Sequence, residues 1–226
     1  MDHPKTCWIL LNEAARGERA ARDRFSDLYI PTVRATLTAR WRGGPLAGDV
    51  DDAVQDVFIE CLKDGGALKR ATAAEAPSFR AFLFGITRNV ARRWEERAGR
   101  RRDAAVTRHI LLDAAGADEA SLSKIFDRQW ARALVKRAAN HLTEQANASD
   151  DKARQRVELL RLRFVEDLPI REIAKRWDTD PARVHHDYAR AREEFQRALR
   201  DVIALHHPDE PRAVERELRE VFSGLG

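Results

Sequence analysis

Apolar positions in this chain recur with the period of an α-helix. Between Asp52 and Leu62 they follow the spacing i, i+3, i+4, i+7 and i+8, which is one stripe of an amphipathic helix: Val54, Val57, Phe58, Cys61 and Leu62. Segments that alternate apolar and polar residues, as half-buried strands do, are scarce. The pattern therefore predicts an all-α fold.

Turn-forming residues divide the first half of the chain into helical segments. A helical pattern covers residues around 6–42, with a break expected at Pro31, and the glycines and proline of residues 43–48 then predict a turn. The helix that begins near Asp51 is predicted to end at Gly65 and Gly66, and residues 64–78 to form a loop. The next helix, capped near Ser78, carries the stripe Phe79, Phe82, Leu83, Ile86, Val90 and Trp94.

A stretch without a sustained apolar stripe, residues 103–123, predicts a linker between two helical domains. The first domain is expected at 1–102 and the second at 124–205, followed by a tail at 206–226. Four helices are predicted up to Ile203, the first of them spanning about 123–145. A short helix in the tail has one apolar face, formed by Val214, Leu218, Val221 and Phe222.

The segment from Leu160 to Leu199 has the layout of a helix-turn-helix. It reads LRLRFVEDLPIREIAKRWDTDPARVHHDYARAREEFQRAL. A short helix with Ile170, Ile173, Ala174 and Trp177 on one face precedes a turn at Asp178 and Thr179. Asp180 and Pro181 are the residue types preferred at the N-cap and first position of the second helix. Its buried face is expected to hold Val184, Tyr188 and Ala191.

In a helix-turn-helix the first turns of the second helix meet base edges in the major groove, while nearby basic residues hold phosphates. Arg183, His186 and Arg190 are the candidates for these contacts, and His185 and Arg192 belong to the same exposed DNA-binding set. Arg183 and His186 are expected to read bases, while Arg190 and Arg192, two turns on, are expected to hold phosphates. The alternative is a helical hairpin inside an all-α domain, with charges that are merely solvated. A metal site at His185 and His186 is not expected, because adjacent helical residues point in different directions.

Charge placement favours an anionic partner. The 226 residues include 41 Lys and Arg against 37 Asp and Glu, with a pI of about 9.3, so the net charge itself is small. Positive charge is concentrated in the later turns of the helix after Ser78, at Arg88, Arg92, Arg93, Arg97, Arg100, Arg101 and Arg102. This helix is thus expected to have an apolar core end and a basic end.

Several functional classes are disfavoured by the residue types present. Cys7 and Cys61 lie far apart without a C-x-x-C pair, which argues against a zinc site or a secreted disulfide framework. No signal peptide or long apolar run is apparent, so a cytoplasmic protein without membrane insertion is expected. The chain has no glycine-rich phosphate loop and no nucleophile–base motif, so neither catalysis nor a cofactor is expected.

Two separated blocks resemble one family, the bacterial sigma factors of the extracytoplasmic-function group. VDDAVQDVFIECL followed by SFRAFLFGITRNVARRWEERAGRRR is similar to sigma region two, and the helix-turn-helix block is similar to region four. The resemblance covers more than half of the chain and implies a transcription initiation factor. Its implied partners are core RNA polymerase, through the clamp and flap, and promoter DNA; an anti-sigma protein is left open as a further partner.

The resemblance also implies roles for particular residues. Asp52, Gln55, Asp56 and Glu60 match the surface that docks on the polymerase clamp, although a solvated helix face is the alternative. Asn89 matches the asparagine that helps to hold a flipped minus-ten base, and an amide can both donate and accept at a base edge. The phosphate backbone would be followed by Arg88, Arg92, Arg97, Arg100, Arg101 and Arg102.

Some positions depart from the family pattern. Residues 64–78 are longer than the usual minus-ten specificity loop, so the family's consensus base is not carried over. Asp178 and Thr179 replace the Gly and apolar residue often found in the turn, and Asp187 lies where a basic residue is common. The competing hypothesis is a dimeric helix-turn-helix repressor that binds duplex DNA without polymerase.

Overall fold

The computed structural model describes residues 13–14, 16–63, 79–103, 117–207 and 210–224. Within these ranges the secondary structure consists of eight α-helices and one short 3-10 helix, without any strand. The predicted all-α fold is therefore confirmed. None of the helices described is long and apolar enough to cross a membrane.

The first helices begin and end close to their sequence signals. They are α1 (Arg19–Arg40), a 3-10 helix (Ala47–Asp49), α2 (Val50–Leu62) and α3 (Phe79–Asp103). The expected break at Pro31 is wrong, because α1 continues through this exposed proline, and the carbonyl that loses its partner belongs to the exposed residue Asp27. The helical pattern is instead interrupted at Gly17, where φ is +95°.

The remaining helices are α4 (Glu119–Asn147), α5 (Asp151–Phe164), α6 (Ile170–Arg176), α7 (Pro181–Ala204) and α8 (Pro211–Gly224). The chain divides into two compact units. Unit 1 comprises Met1–Ala133, Leu205–Glu210 and Arg219–Gly226; unit 2 comprises Leu134–Ala204 and Pro211–Leu218. The division falls inside α4 and inside α8, whereas residues 104–116 of the predicted linker lie outside the described residues.

Unit 1 is built around an aromatic core. Helix α1 packs against α2 and α3, and these two pack against each other. Phe25 contacts Phe58 with ring centroids 5.5 Å apart, and Tyr29 stacks on Trp130 at 5.2 Å. Phe79 at the start of α3 packs edge-on against Tyr29. Large aromatic side chains contribute strongly to such a core, and their tilted pairs add about 0.5–1.5 kcal/mol each.

Unit 2 encloses a smaller core between α5, α6 and α7. Its buried residues come from all three helices: Leu159, Leu162, Ile170, Ile173, Ala174 and Val184. Asp150 caps α5 by accepting a hydrogen bond from the backbone N–H of Ala153 at 2.7 Å. The core fixes the positions of α6 and α7, and hence of the exposed residues they carry.

Candidate nucleic-acid interface

The connection between α6 and α7 is short and tightly hydrogen-bonded. Helix α6 ends with Trp177 as its C-cap, and the backbone N–H of Thr179 donates to the carbonyl of Ala174 at 3.0 Å. Asp178 adopts φ +47°, in the left-handed region that favours glycine. Asp180 then accepts from the N–H of Ala182 at 3.0 Å, and α7 begins at Pro181. The predicted start of this helix is thereby confirmed.

One exposed strip of α7 contains three of the candidate DNA-binding residues. Arg183, His186 and Arg190 follow at i, i+3 and i+7, so they lie on one side of the helix over about 10 Å. All three are exposed, while the neighbouring residues Val184 and Ala191 are buried in unit 2. Of these three, Arg183 has no carboxylate within ion-pairing distance among the described residues.

His185 and Arg192 do not belong to that strip. They are seven residues apart and share a different exposed side of α7, since His185 is about 160° around the helix from Arg183. The guanidinium of Arg192 lies over the ring of Tyr188, 5.8 Å from its centroid. Tyr188, which was expected on the buried face, is partly buried and packs against the core of unit 2. The five candidate residues therefore form two faces of one helix.

An ion pair joins α7 to α5. Arg156 donates through Nε to Glu194 at 2.8 Å, and both side chains are largely buried, at 12% and 17% exposure. Hydrogen bonding to Glu194 raises the pKa of Arg156. Glu194 also lies 3.4 Å from Nε of Arg190, so part of the hydrogen-bonding capacity of Arg190 is taken up by this carboxylate. Asp187 makes a long contact of 3.7 Å with His186.

A second basic surface lies on α3 in unit 1. The exposed positions from 88 to 100 hold five arginines and an asparagine against a single glutamate: Arg88, Asn89, Arg92, Arg93, Glu96, Arg97 and Arg100. Asn89 is exposed and is flanked at i+3 and i+4 by Arg92 and Arg93. The side chain of Arg101 and the predicted loop at 64–78 lie outside the described residues. The structure thus places one exposed amide on a helix surface that is mostly basic.

The predicted docking face on α2 is only partly open. Asp52 and Gln55 are exposed, but Asp56 accepts a hydrogen bond from the indole of Trp94 on α3 at 2.9 Å. Glu60 bonds Lys63 at 2.9 Å and Arg93 at 3.3 Å. These two cations, Lys63 foremost, hold the pKa of the Glu60 carboxyl below its usual value despite its partial burial. Asp56 and Glu60 therefore help to join α2 to α3.

Exposed apolar residues add to these surfaces and were not among the predicted sites. Ile59 is 58% exposed and follows Asp52 and Gln55 along the same open face of α2. Its position outside the apolar stripe of that helix is the sequence signal that could have identified it. In unit 2, Phe164 and Val165 at the end of α5 are 68% and 76% exposed. Contiguous exposed apolar patches rimmed by polar residues are typical of protein contacts, and Phe164 and Val165 are adjacent in sequence.

Metal chemistry receives no support from the described part of the chain, where no group of three His, Cys, Asp or Glu side chains could hold a metal ion. Cys61 is buried, and burial raises the pKa of its thiol to about 12, which makes it unreactive at neutral pH. No protein-family model matches this chain, and none of the curated proteins is significantly similar to it.

Proposed function

We propose that this protein is a transcription initiation factor of the extracytoplasmic-function sigma group, which binds core RNA polymerase in the cytoplasm and directs it to two-part promoters. The observation that carries the proposal is that each of the two units presents its own basic helix face, one with an exposed amide among arginines and one at the start of a helix after a tight turn.

Unit 2 supplies the features needed to read duplex DNA. The α6–α7 pair has the helix, short turn and capped second helix of a helix-turn-helix, and the first two turns of α7 expose Arg183 and His186. Arg183 can donate two hydrogen bonds to guanine in the major groove. In this proposal Arg183 and His186 read the minus-thirty-five element, while His185, Arg190 and Arg192 contact its phosphates.

Unit 1 supplies a surface suited to a single strand. Asn89 offers both a donor and an acceptor to one unpaired base, and the flanking arginines attract the phosphates on either side. Arg88, Arg92, Arg97 and Arg100 are assigned to this backbone contact, together with Arg101. The indole of Trp94 on the same helix donates a hydrogen bond to Asp56, which holds α3 against α2.

The contact with polymerase is assigned to the open part of the α2 face. Asp52 and Gln55 provide polar contacts, and Ile59 provides the apolar centre that a protein interface needs. Burying an isoleucine contributes about 1.5–3 kcal/mol. Asp56 and Glu60 bond to side chains of α3, so their substitution would disturb the packing of unit 1 as well as docking.

The direct experiment measures binding to core polymerase by fluorescence titration. Asp52→Lys and Ile59→Ser should each weaken the affinity about tenfold or more, because each removes or opposes a contact at the face. Asp23→Lys, a matched charge reversal at an exposed position of α1, should leave it unchanged. Equal affinity in all the variants would reject this docking face.

Absence of any binding to core polymerase, together with tight binding of the chain alone to duplex DNA as a dimer, would instead favour the repressor hypothesis. A stand-alone repressor needs no polymerase to select its site. Sedimentation of the chain with a labelled duplex, with and without core enzyme, separates these two outcomes.

A further inference from the structure

The segment that follows α7 is part of the core of unit 1. Leu205 and His206 are buried, and His206 is only 3% exposed. The hydroxyl of Tyr29 and Nε2 of His206 lie 2.9 Å apart, within hydrogen-bonding distance. The imidazole also packs edge-on against Trp130, with ring centroids 5.3 Å apart, and stacks with Phe79, with ring centroids 6.4 Å apart.

A second contact anchors the same tail further along. Glu220 pairs with Arg80 at 2.8 Å, and Arg80 lies 3.6 Å from Asp127 of α4. Val221, next to Glu220, is 2% exposed. The tail thus makes two contacts within unit 1. One is the aromatic contact of His206 and the other is the ion pair of Glu220, fourteen residues further along the sequence.

Both contacts converge on consecutive residues, Phe79 and Arg80, in the first turn of α3. The first turn of a helix lacks intrahelical partners for its N–H groups and frays readily unless tertiary contacts hold it. The same helix carries Asn89 and the exposed arginines. A contact that keeps its first turn formed therefore also fixes the helix that presents them.

From this convergence we propose that the two tail segments that belong to unit 1, residues 205–207 and 219–222, are a positioning element for α3, with His206 and Glu220 as the positioning residues. The proposal rests on the proposed function, in which α3 contacts the unpaired strand of the minus-ten element and so takes part in promoter opening. Its mechanical part, that the tail stabilises the first turn of α3, stands independently of that role.

Hydrogen exchange on the full chain tests the mechanical part. The amides of Leu83 and Phe84 report directly, because in an α-helix they bond the carbonyls of Phe79 and Arg80. Tyr29→Phe, which removes only the hydroxyl partner of His206, should accelerate their exchange by about fivefold. Glu220→Gln should do so by about two- to fivefold, as expected for a partly exposed ion pair.

Glu215→Gln is the matched control. It makes the same change on the same helix and breaks a comparable pair, that of Glu215 with Arg200 at 3.0 Å within unit 2. Exchange at Leu83 and Phe84 should stay at the parent rate in this variant, and Glu220→Asp should restore most of the protection lost in Glu220→Gln. Parent-like exchange in both Tyr29→Phe and Glu220→Gln would overturn the proposal.

Promoter opening tests the functional part. In permanganate footprinting with holoenzyme, Tyr29→Phe and Glu220→Gln should reduce opening while core binding stays within about twofold of the parent. If opening is unchanged although exchange is accelerated and Asn89→Ala is defective, the positioning role is rejected. If the parent itself neither binds core enzyme nor opens DNA, the proposed function fails, and the exchange rates still decide whether the tail holds α3.

Discussion

At the turn before α7, one residue has a backbone conformation that the sequence did not predict. Asp178 occupies a left-handed conformation where glycine is the default, and aspartate is one of the few other residues that tolerate it. The resemblance implies that Asp178 stands where a glycine is common, and the structure shows the left-handed backbone conformation that glycine adopts readily. The turn is thus preserved at a small energetic cost.

Substitution of Asp178 should therefore depend strongly on the residue introduced. Asp178→Val should destabilise unit 2 by about 1–2 kcal/mol, because a β-branched residue is strongly disfavoured at positive φ. Asp178→Gly should change stability by less than about 1 kcal/mol, since the strain relieved offsets the greater freedom of the unfolded chain. Urea unfolding followed by circular dichroism measures both.

Glycine at a helical position supplies the contrast. Glu193→Gly, at an exposed position within α7, should cost about 0.5–1 kcal/mol. A loss in Asp178→Gly equal to that in Glu193→Gly would show that position 178 has no special need for the left-handed region.

A second prediction at this scale concerns Glu95, which joins the end of α1 to α3. Burial alone would raise the pKa of Glu95, but hydrogen bonds from Arg40 at 2.6 Å and from the Trp41 indole at 2.9 Å outweigh it and lower the pKa. A lowered folded-state pKa stabilises the fold above the unfolded-state value, and this stability is lost as the pH falls toward the folded-state value.

The free energy of unfolding of the parent should therefore exceed that of Glu95→Gln by about 1 kcal/mol near neutral pH. The difference should shrink as the pH falls below the ordinary carboxyl value of 4.5. Glu96→Gln, at the exposed neighbouring position, should change the free energy of unfolding near neutral pH by less than about 0.5 kcal/mol. A gap between parent and Glu95→Gln that persists unchanged at pH 3 would contradict the assigned ion pair.

At the scale of elements, periodicity predicted the helices well, but it did not predict which polar residues contact a neighbouring helix. The stripes of α2, α3 and α7 follow from spacing alone, because an apolar face must be buried. The engagement of Asp56 by Trp94 and of Glu60 by Arg93 could not be predicted, since it depends on how α2 and α3 pack. The exposure of Ile59 could have been predicted from its place outside the stripe.

The two faces of α7 should differ in what they contribute to DNA binding. Arg183→Ala should alter which minus-thirty-five sequences are used, at a cost of about 1–3 kcal/mol on the preferred base. Arg192→Ala should weaken use of all sequences alike and lower the salt dependence of binding by about one charge. Transcription by holoenzyme from a randomised minus-thirty-five library, at two salt concentrations, measures both effects.

Arg132→Ala, which removes an equal charge from an exposed position in unit 1, should leave both the sequence preference and the salt dependence unchanged. If Arg183→Ala and Arg192→Ala lower use of every sequence equally, α7 contributes charge rather than base recognition.

At the scale of the whole molecule, the all-α class was predictable because helical periodicity runs through most of the chain. The division into units was harder to predict from the sequence. A linker was expected at 103–123, whereas the compact units divide within α4, and unit 1 also includes Leu205–Glu210 and Arg219–Gly226 of the tail. Contacts such as Tyr29 with His206 join residues far apart in sequence, and helical spacing carries no information about them.

The proposed function requires that this chain give polymerase a sequence preference that neither component has alone. Run-off transcription by core RNA polymerase on a genomic DNA library, with and without the chain, measures this directly. We expect transcripts that depend on the chain and start downstream of two short elements at a constant spacing, and we expect Asn89→Ala to reduce them while the matched amide substitution Asn140→Ala does not. Start sites that are identical with and without the chain would contradict the proposed function.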